Sequence, residues 1–328
     1  MAQVGCVVIG RNEGARLQKC LQSANEVVPR LVYVDSQSTD NSVEIAREAS
    51  AHVIALDMSI PFSAARARNA GLECLKAAYP DVSLVQFVDG DCELDKDWLR
   101  SAMRVFQEQD RVAVVSGRRR ERYPERSLYN LVCDLEWDTS IGVAKACGGD
   151  ALMRISALDE VGGYDPSLVA GEEPEMCLRL RQAEWTILRI DAEMTMHDAA
   201  IHRFSAWWKR QKRYGYALAL SAAKHGSGAE RFRVKEVRRA IIWAITIPLA
   251  TLSISFVTPW ALLMVLIYPA QIIRLILTDK SGRPKAAGRA SLSVISRFAE
   301  TAGLFKYLRD RILDARPQII EYKENLND

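Results

Sequence analysis

Two aspartates stand one residue apart, Asp89 and Asp91, at the close of the apolar run LVQFV (84–88), with Gly90 between them. At a strand end both carboxylates can turn toward one cation, because glycine permits the tight turn that follows. Carboxylate oxygens with water suit Mn2+ or Mg2+, and those ions bridge phosphates. The same spacing also occurs in solvated loops, so the weight falls on what accompanies it. Three glutamates, Glu172, Glu173 and Glu175, cluster in GEEPEM (171–176), and a carboxylate is one of the groups that takes a proton from a reacting hydroxyl. They equally fit a solvated helix start with Pro174 in its first turn. His197 and His202 follow in MHDAAIHRF, either as contacts to a ligand or as satisfied loop imidazoles. Arg66 and Arg68 in ARARNAGL offer cations or simply an exposed helix face. Arg118-Arg119-Arg120 reads as a solvated charge run.

Elements of alternating type must position these groups. Strand-like runs recur as VGCVVIG (4–10), RLVYVDS (30–36), HVIALD (52–57), SLVQFVDGD (83–91) and RVAVVSG (111–117). EGARLQKCLQSAN carries apolar residues at helical spacing, and Ser38 or Thr39 is placed to cap a helix over the following segment. Alternation of strand and helix predicts a mostly parallel α/β sheet covered on both faces, with ligands at the carboxyl ends of its strands. Three of those ends are polar: Gly10-Arg11-Asn12-Glu13, Asp35-Ser36 and Asp89-Gly90-Asp91.

In 328 residues, 44 Lys and Arg stand against 41 Asp and Glu, a balance that predicts no polyanion partner and so no nucleic acid. Seven cysteines without a CxxC pair fit reduced thiols in the cytosol. The N-terminus reads as a first strand rather than a signal peptide. From Arg203 to Ala240 there are 11 basic residues and two acidic ones, and residues 241–277 then hold no charge except Arg274. One helix of that length would be about 55 Å long, against a hydrocarbon core of roughly 30 Å, so Thr258-Pro259 is expected to divide it into a hairpin. Basic flanks at Arg238-Arg239 and at Lys280, Arg283, Lys285 and Arg289 place both ends on the cytoplasmic side, unless the hairpin is a buried or re-entrant element. Residues 291–312 look amphipathic, fit either to lie on the membrane surface or to pack as an ordinary helix.

Taken in order, VVIGRNEGARLQKCL, VYVDSQSTDNSVEIA, ARARNAGL, FVDGDCEL and GGYDPSLVAGEEPEMCLRLR resemble the family-2 glycosyltransferases, which use nucleotide-diphosphate sugars. The resemblance runs from residue 4 to about 216, and the remainder is similar in style to membrane-associated bacterial members. It implies a GT-A fold, Rossmann-like and mostly parallel with helices on both faces, followed by a hydrophobic helical hairpin and an amphipathic helix. The expected division is a glycosyltransferase domain at 1–216, a basic linker at 217–240, a membrane-associated hairpin at 241–277 and an amphipathic helix and tail at 278–328.

The same resemblance implies roles. Gly10, Asn12 and Glu13 would lie near the nucleotide, although Gly10-Arg11 stands where the family has proline. Asp35 would read the base, with Ser36 in place of a frequent second aspartate, and Arg66 and Arg68 would lie against the nucleotide. Asp91 would touch the metal and Asp89 the ribose or, through water, the metal, across Gly90; His197 would contact metal or diphosphate. Glu173 aligns with the base, Glu172 with its neighbour and Glu175 with a later acid. Gly148, Gly149 and Asp150 would line the acceptor side. Trp207-Trp208-Lys209-Arg210 with Arg213 and Tyr214 would cover the donor diphosphate or anchor at a membrane interface. The implied activity is inverting, metal-dependent transfer from a nucleotide-diphosphate sugar, UDP-linked by preference, to a hydroxyl of a lipid-linked or polysaccharide acceptor at the cytoplasmic membrane face. The alternatives are a nucleotidyltransferase or an inactive membrane-bound partner subunit that binds sugar nucleotide.

Overall fold

A computed structural model describes residues 3–279, 285–315 and 320. Lys280 and Arg283, expected as basic flanks, and most of the tail after 315 lie outside the described residues. The described residues divide into two compact units, the first within 3–124 and 133–200, the second within 125–132 and 201–315.

In the first unit the chain alternates through β1 (Gln3–Gly10), α1 (Ala15–Val27), β2 (Leu31–Asp35), α2 (Ser42–Glu48), β3 (His52–Ala55), α3 (Ala64–Ala78) and β4 (Val82–Asp89). It continues through β5 (Cys92–Leu94), α4 (Trp98–Glu108), β6 (Val112–Glu121), and α5 (Leu128–Trp137), whose first turn belongs to the second unit. Then follow β7 (Gly142–Val143), β8 (Ala151–Arg154), α6 (Ile155–Val161), α7 (Glu172–Gln182) and β9 (Thr186–His197).

Side-chain parity along the strands builds the layers, since successive residues face opposite sides of a sheet. Val7, Ile9, Val32, Val34, Val85 and Phe87 form one core with α3, α6 and α7; Cys6, Val8, Leu31, Tyr33, Leu84 and Val88 form the other with α1, α2 and α4. Gly71 lets α3 lie close on β1, because a Cβ there would meet Val7 Cγ1 at 2.3 Å.

The strand order is β3-β2-β1-β4-β8-β6-β9-β5, with β7 on β9. β3, β2, β1 and β4 run parallel, as alternation predicts, but β8 enters antiparallel between β4 and β6, so the sheet is mixed. That reversal places the start of β8 beside the end of β4. Two further details depart from expectation. Ser38 and Thr39 do not cap α2, whose N-cap is Asn41; Ser38 Oγ instead accepts the Asn12 N–H at 2.9 Å. Arg118 and Arg119 are not a solvated run: Arg118 is buried against Asp134, and Arg119 is drawn among carboxylates described below.

The second unit is helical: α8 (Phe204–His225), α9 (Val234–Ser255), α10 (Pro259–Thr278) and α11 (Ala286–Ile312). α11, expected to be amphipathic, packs on α8, with Tyr216 and Tyr307 edge to face at 5.6 Å. α9 passes through a π-helical turn at Ile242–Thr246, shortly before Pro248. Both α9 and α10 are long and apolar enough to cross a membrane, with only 11% and 6% of their apolar windows buried.

Candidate functional site

The site grows from strand ends brought to one edge of the first unit. The parallel register pairs Gly10 with Asp35, and the loop after β1 is laced to the loop after β2. Asn12 adopts a left-handed backbone conformation (φ 55°) and its Oδ1 accepts the Thr39 N–H at 2.7 Å; Ser42 Oγ accepts from Glu13 and Gly14 at 3.2 Å each. Glu13 is ion-paired with Arg16 at 2.7 Å. Asp35 is buried, accepting from the Tyr33 hydroxyl at 3.1 Å and from the Ser38 N–H at 2.9 Å.

At the end of β4 the two aspartates part company. Antiparallel pairing of β5 with β9 sets Cys92 opposite His197, so Asp91 lies beside the imidazole, Oδ2 to Nε2 at 3.1 Å. Parallel pairing of β6 with β9 sets Glu121 opposite the same histidine, its Oε2 3.7 Å from Nδ1. Trp137 stands edge-on to the ring at 4.7 Å. Burial pushes the His197 pKa down, but the Asp91 charge and hydrogen bonds to Asp91 and Glu121 outweigh it and leave it raised. A buried carboxylate and imidazole side by side, with a second carboxylate behind the imidazole, is the donor set of a divalent cation site and the arrangement that fixes a ligating histidine. The His197 Nδ1 atom is buried facing Glu121, which would hold the ring if Nε2 turned to a cation. The residues therefore fit Mn2+ or Mg2+.

Asp89 faces two guanidinium groups, Arg68 Nη2 at 2.8 Å and Arg119 Nη2 at 3.3 Å. Arg119 also approaches Asp150 at 3.4 Å and lies over the Trp137 ring at 4.8 Å. Asp150 is buried at the start of β8; it accepts the Asp89 backbone N–H at 3.0 Å and the Thr195 hydroxyl at 2.8 Å. Gly149 beside it is closely covered, since a Cβ would stand 2.5 Å from Arg68 Nη2 and 2.7 Å from Asp89 Oδ2 and displace both, whereas Gly148 has room. Gly90 follows tightly, its N–H donating to the Ile9 carbonyl at 2.8 Å.

Arg68 reaches in the other direction to Glu172 and Glu173, each at 3.0 Å. Those glutamates open α7, where a helix N-terminus favours carboxylates. Burial and the Glu172 charge nevertheless raise the Glu173 carboxyl to about 7, against the lowering pull of Arg68. Burial pushes the Arg68 pKa down, yet Glu173 and Asp89 hold it well above the ordinary value. The three glutamates separate by partner. Glu175 is buried and clasped by Arg179 at 2.8–3.1 Å, Glu172 is buried on Arg68, and Glu173 alone keeps 16% of its side chain exposed.

Arg66, two residues before Arg68 and so on another face of α3, is not brought to this cluster; its guanidinium donates to the carbonyls of Asp57, Ile60 and Pro61. Asn69 clamps the turn before α7 by bonds to Tyr164 N and O at 2.9 and 2.7 Å. His202 and the Trp207 segment belong to the second unit, where His202 is exposed and Trp207 is buried against Tyr129 and Phe204. Arg119 and Glu121 are the residues that sequence reasoning missed. The available signal was a strand running past residue 117 into the arginines.

A TPR repeat-containing protein of Synechococcus elongatus is 38% identical over 94 residues, 29% of this chain and 22% of that one. The chain spans about a fifth of the length of the curated relatives it matches. The mannosyltransferase PcManGT of Pyrobaculum calidifontis, solved with GDP-Man and Mn2+, superposes with a TM-score of 0.61 at 18% identity, over 94% of this chain and 88% of that one. S. aureus TarS, solved with UDP-GlcNAc, superposes at 0.50 with 14% identity, over 95% and 92%. These likenesses identify the fold as GT-A. The sequence itself matches Glycosyl transferase family 2 over residues 6–160 and Glycosyl transferase family group 2 over residues 84–278, more than half its length. The chain belongs to the family-2 glycosyltransferases.

Proposed function

We propose that this chain transfers a sugar, with inversion, from a nucleoside-diphosphate sugar to a hydroxyl of a lipid-linked or polysaccharide acceptor at the cytoplasmic face of a membrane. The observation that carries the reading is Arg68, one guanidinium within reach of Asp89, Glu172 and Glu173. It ties Asp89 on the donor side to the carboxylates on the acceptor side. Asp91 and His197 would hold Mn2+ or Mg2+, and a bound cation neutralises diphosphate charge as the leaving group departs. PcManGT with GDP-Man and Mn2+, and TarS with UDP-GlcNAc, support a donor of this class. Asp35 would read the base through lone pairs that Tyr33 and Ser38 leave free.

Glu173 is the base. With its carboxyl near pH 7 it is basic enough to accept a hydroxyl proton and still ionised in good part at neutrality. The acceptor oxygen bonds to the anomeric carbon as the bond from that carbon to the diphosphate breaks. The electron pair leaves with the nucleoside diphosphate, the proton stays on Glu173, and one displacement inverts the centre. Gly148, with room where a side chain would stand, would let an acceptor approach the backbone. The apolar helices α9 and α10 support attachment to a membrane, where a lipid-linked acceptor would be met.

The test is a thermal-shift panel of UDP-, GDP- and dTDP-sugars with Mn2+, on the wild type and Asp91→Ala. Ligand at 100 times Kd adds about 2.7 kcal/mol of stability. A metal-dependent shift by one nucleotide, lost in Asp91→Ala, is expected. Equal shifts in both proteins, or none in a folded wild type, would remove the donor site from this place.

A further inference from the structure

The hairpin of α9 and α10 has a depth as well as an apolar surface. The two helices run antiparallel, since the Tyr268 hydroxyl donates to the Trp243 carbonyl at 2.6 Å and the two rings meet at 5.8 Å. That aromatic pair lies 12 residues from Ser255 along α9 and 9 from Pro259 along α10. At 1.5 Å per α-helical residue and about 2.0 Å in the 3-10 stretch Pro259–Leu266, both arms reach about 17–18 Å beyond it. The nearest charges, Arg239 and Arg274, stand about 24–26 Å from the tip, short of the roughly 30 Å hydrocarbon core. Tryptophan and tyrosine settle at the boundary between headgroups and hydrocarbon. With Trp243 and Tyr268 there, the arms cross little more than half the core.

The tip has the wrong chemistry for an aqueous exit. Phe256 and Val257 at the turn are 84% and 87% exposed, and no charge lies between Arg239 and Arg274. A turn emerging on the far side would place these side chains in water. At the other end, Arg231, Lys235, Arg238 and Arg239 line a cleft of about 530 Å³ with Trp243, four cations against the single Glu230. Such a stripe beside an interfacial tryptophan is complementary to lipid phosphates.

We propose that α9 and α10 form a one-leaflet anchor: the hairpin enters and leaves on one side of an anionic bilayer, its tip stops within the hydrocarbon, and the basic stripe at its base rests on lipid phosphates. This rests on the membrane attachment proposed above and adds a depth and a lipid charge to it.

The test labels full-length single-site variants with a membrane-impermeant maleimide in spheroplasts and in inverted vesicles. Val257→Cys reports the tip and Ser227→Cys, in the exposed loop before α9, reports the base. The native cysteines are buried or half-buried, and the wild type gives their background. The expected result is labelling of Ser227→Cys in inverted vesicles alone, and of Val257→Cys in neither preparation until detergent is added. Labelling of Val257→Cys in spheroplasts would mean that the hairpin spans, overturning the one-leaflet anchor while keeping membrane attachment. Labelling of both sites in inverted vesicles, or release of the chain by a salt wash, would overturn membrane attachment itself. For the stripe, Lys235→Gln and Arg238→Gln are each expected to weaken binding to anionic vesicles about fivefold, with no change on neutral ones. Equal losses on both lipids would overturn the contact with phosphates.

Discussion

The Glu173 carboxyl makes the sharpest forecast because its displacement is large and its sign is fixed. Burial and Glu172 carry it from 4.5 to about 7. A base acts only when ionised, so kcat/KM should fall tenfold per pH unit below 7 and level off above it. At pH 5.5 a group titrating at 7 is about 3% ionised, whereas an unperturbed glutamate would be about 90% ionised. The assay is the initial rate of sugar transfer at donor concentrations below KM from pH 5 to 8.5, at constant ionic strength and with Mn2+ loading verified at each point. Glu172→Gln removes a charge that raises Glu173, so it should move the break downward; a limb caused by metal loss would stay where it was. A break near 4.5, or one indifferent to Glu172→Gln, would refute the reasoning. Stability supplies a second readout. The folded-state pKa lies above the unfolded one, so this group's stabilising contribution is complete below about 4.5 and is lost as pH rises through 7. Glu173→Gln should therefore melt higher than the wild type at pH 8, an advantage that shrinks toward pH 5.

Three further substitutions probe the surroundings. Glu121→Gln weakens the carboxylate behind His197 and should lower Mn2+ affinity about 10–100-fold by titration calorimetry; unchanged affinity would count against His197 as a ligand. Gly149→Ala forces a methyl group to 2.5 Å from Arg68 and should cost about 1–3 kcal/mol in denaturant unfolding, with sugar transfer falling alongside. Gln86→Leu strands the buried Trp98 indole N–H, now bonded to Gln86 Oε1 at 2.7 Å, and should cost about 1–3 kcal/mol without moving KM for the donor.

Much of the candidate site's strand-end edge was legible because its residues follow strands whose parity and turns are local. Asp35 and Asp89 close β2 and β4 where the apolar runs end, and Asp91 follows in the turn to β5. The insertion of β8 was not legible, since antiparallel pairing of strands more than 60 residues apart leaves no local mark. Three consecutive arginines gave no reason to choose one as inward. The register of β6 against β9 slips on both sides of Arg118, which breaks the simple alternation that would have singled out Arg119. Glu121 was invisible for the same reason, being buried by a strand that outlasts its apolar stretch. The motif ARNAG proved to combine several tasks: Arg68 bridges carboxylates, Asn69 clamps a turn, and Gly71 lets a helix lie down. Glu175, one of three equivalent letters in sequence, was distinguished only by Arg179 one helical turn away.

The reversed strand β8 also sets an order in time. Asp150 holds the Asp89 backbone across 61 residues, and Arg68 meets Glu172 across 104. Contacts of such separation close large loops, which makes them late events in folding. The first four strands, by contrast, can pair as they are made. A ribosome-bound chain released as far as α4 would thus own Asp35, Asp89 and Asp91 yet lack Arg119 and Asp150 beside Asp89 and His197 beside Asp91. If these residues bind donor as proposed, sugar-nucleotide capture would mark completed synthesis, because these partners of Asp89 and Asp91 arrive last.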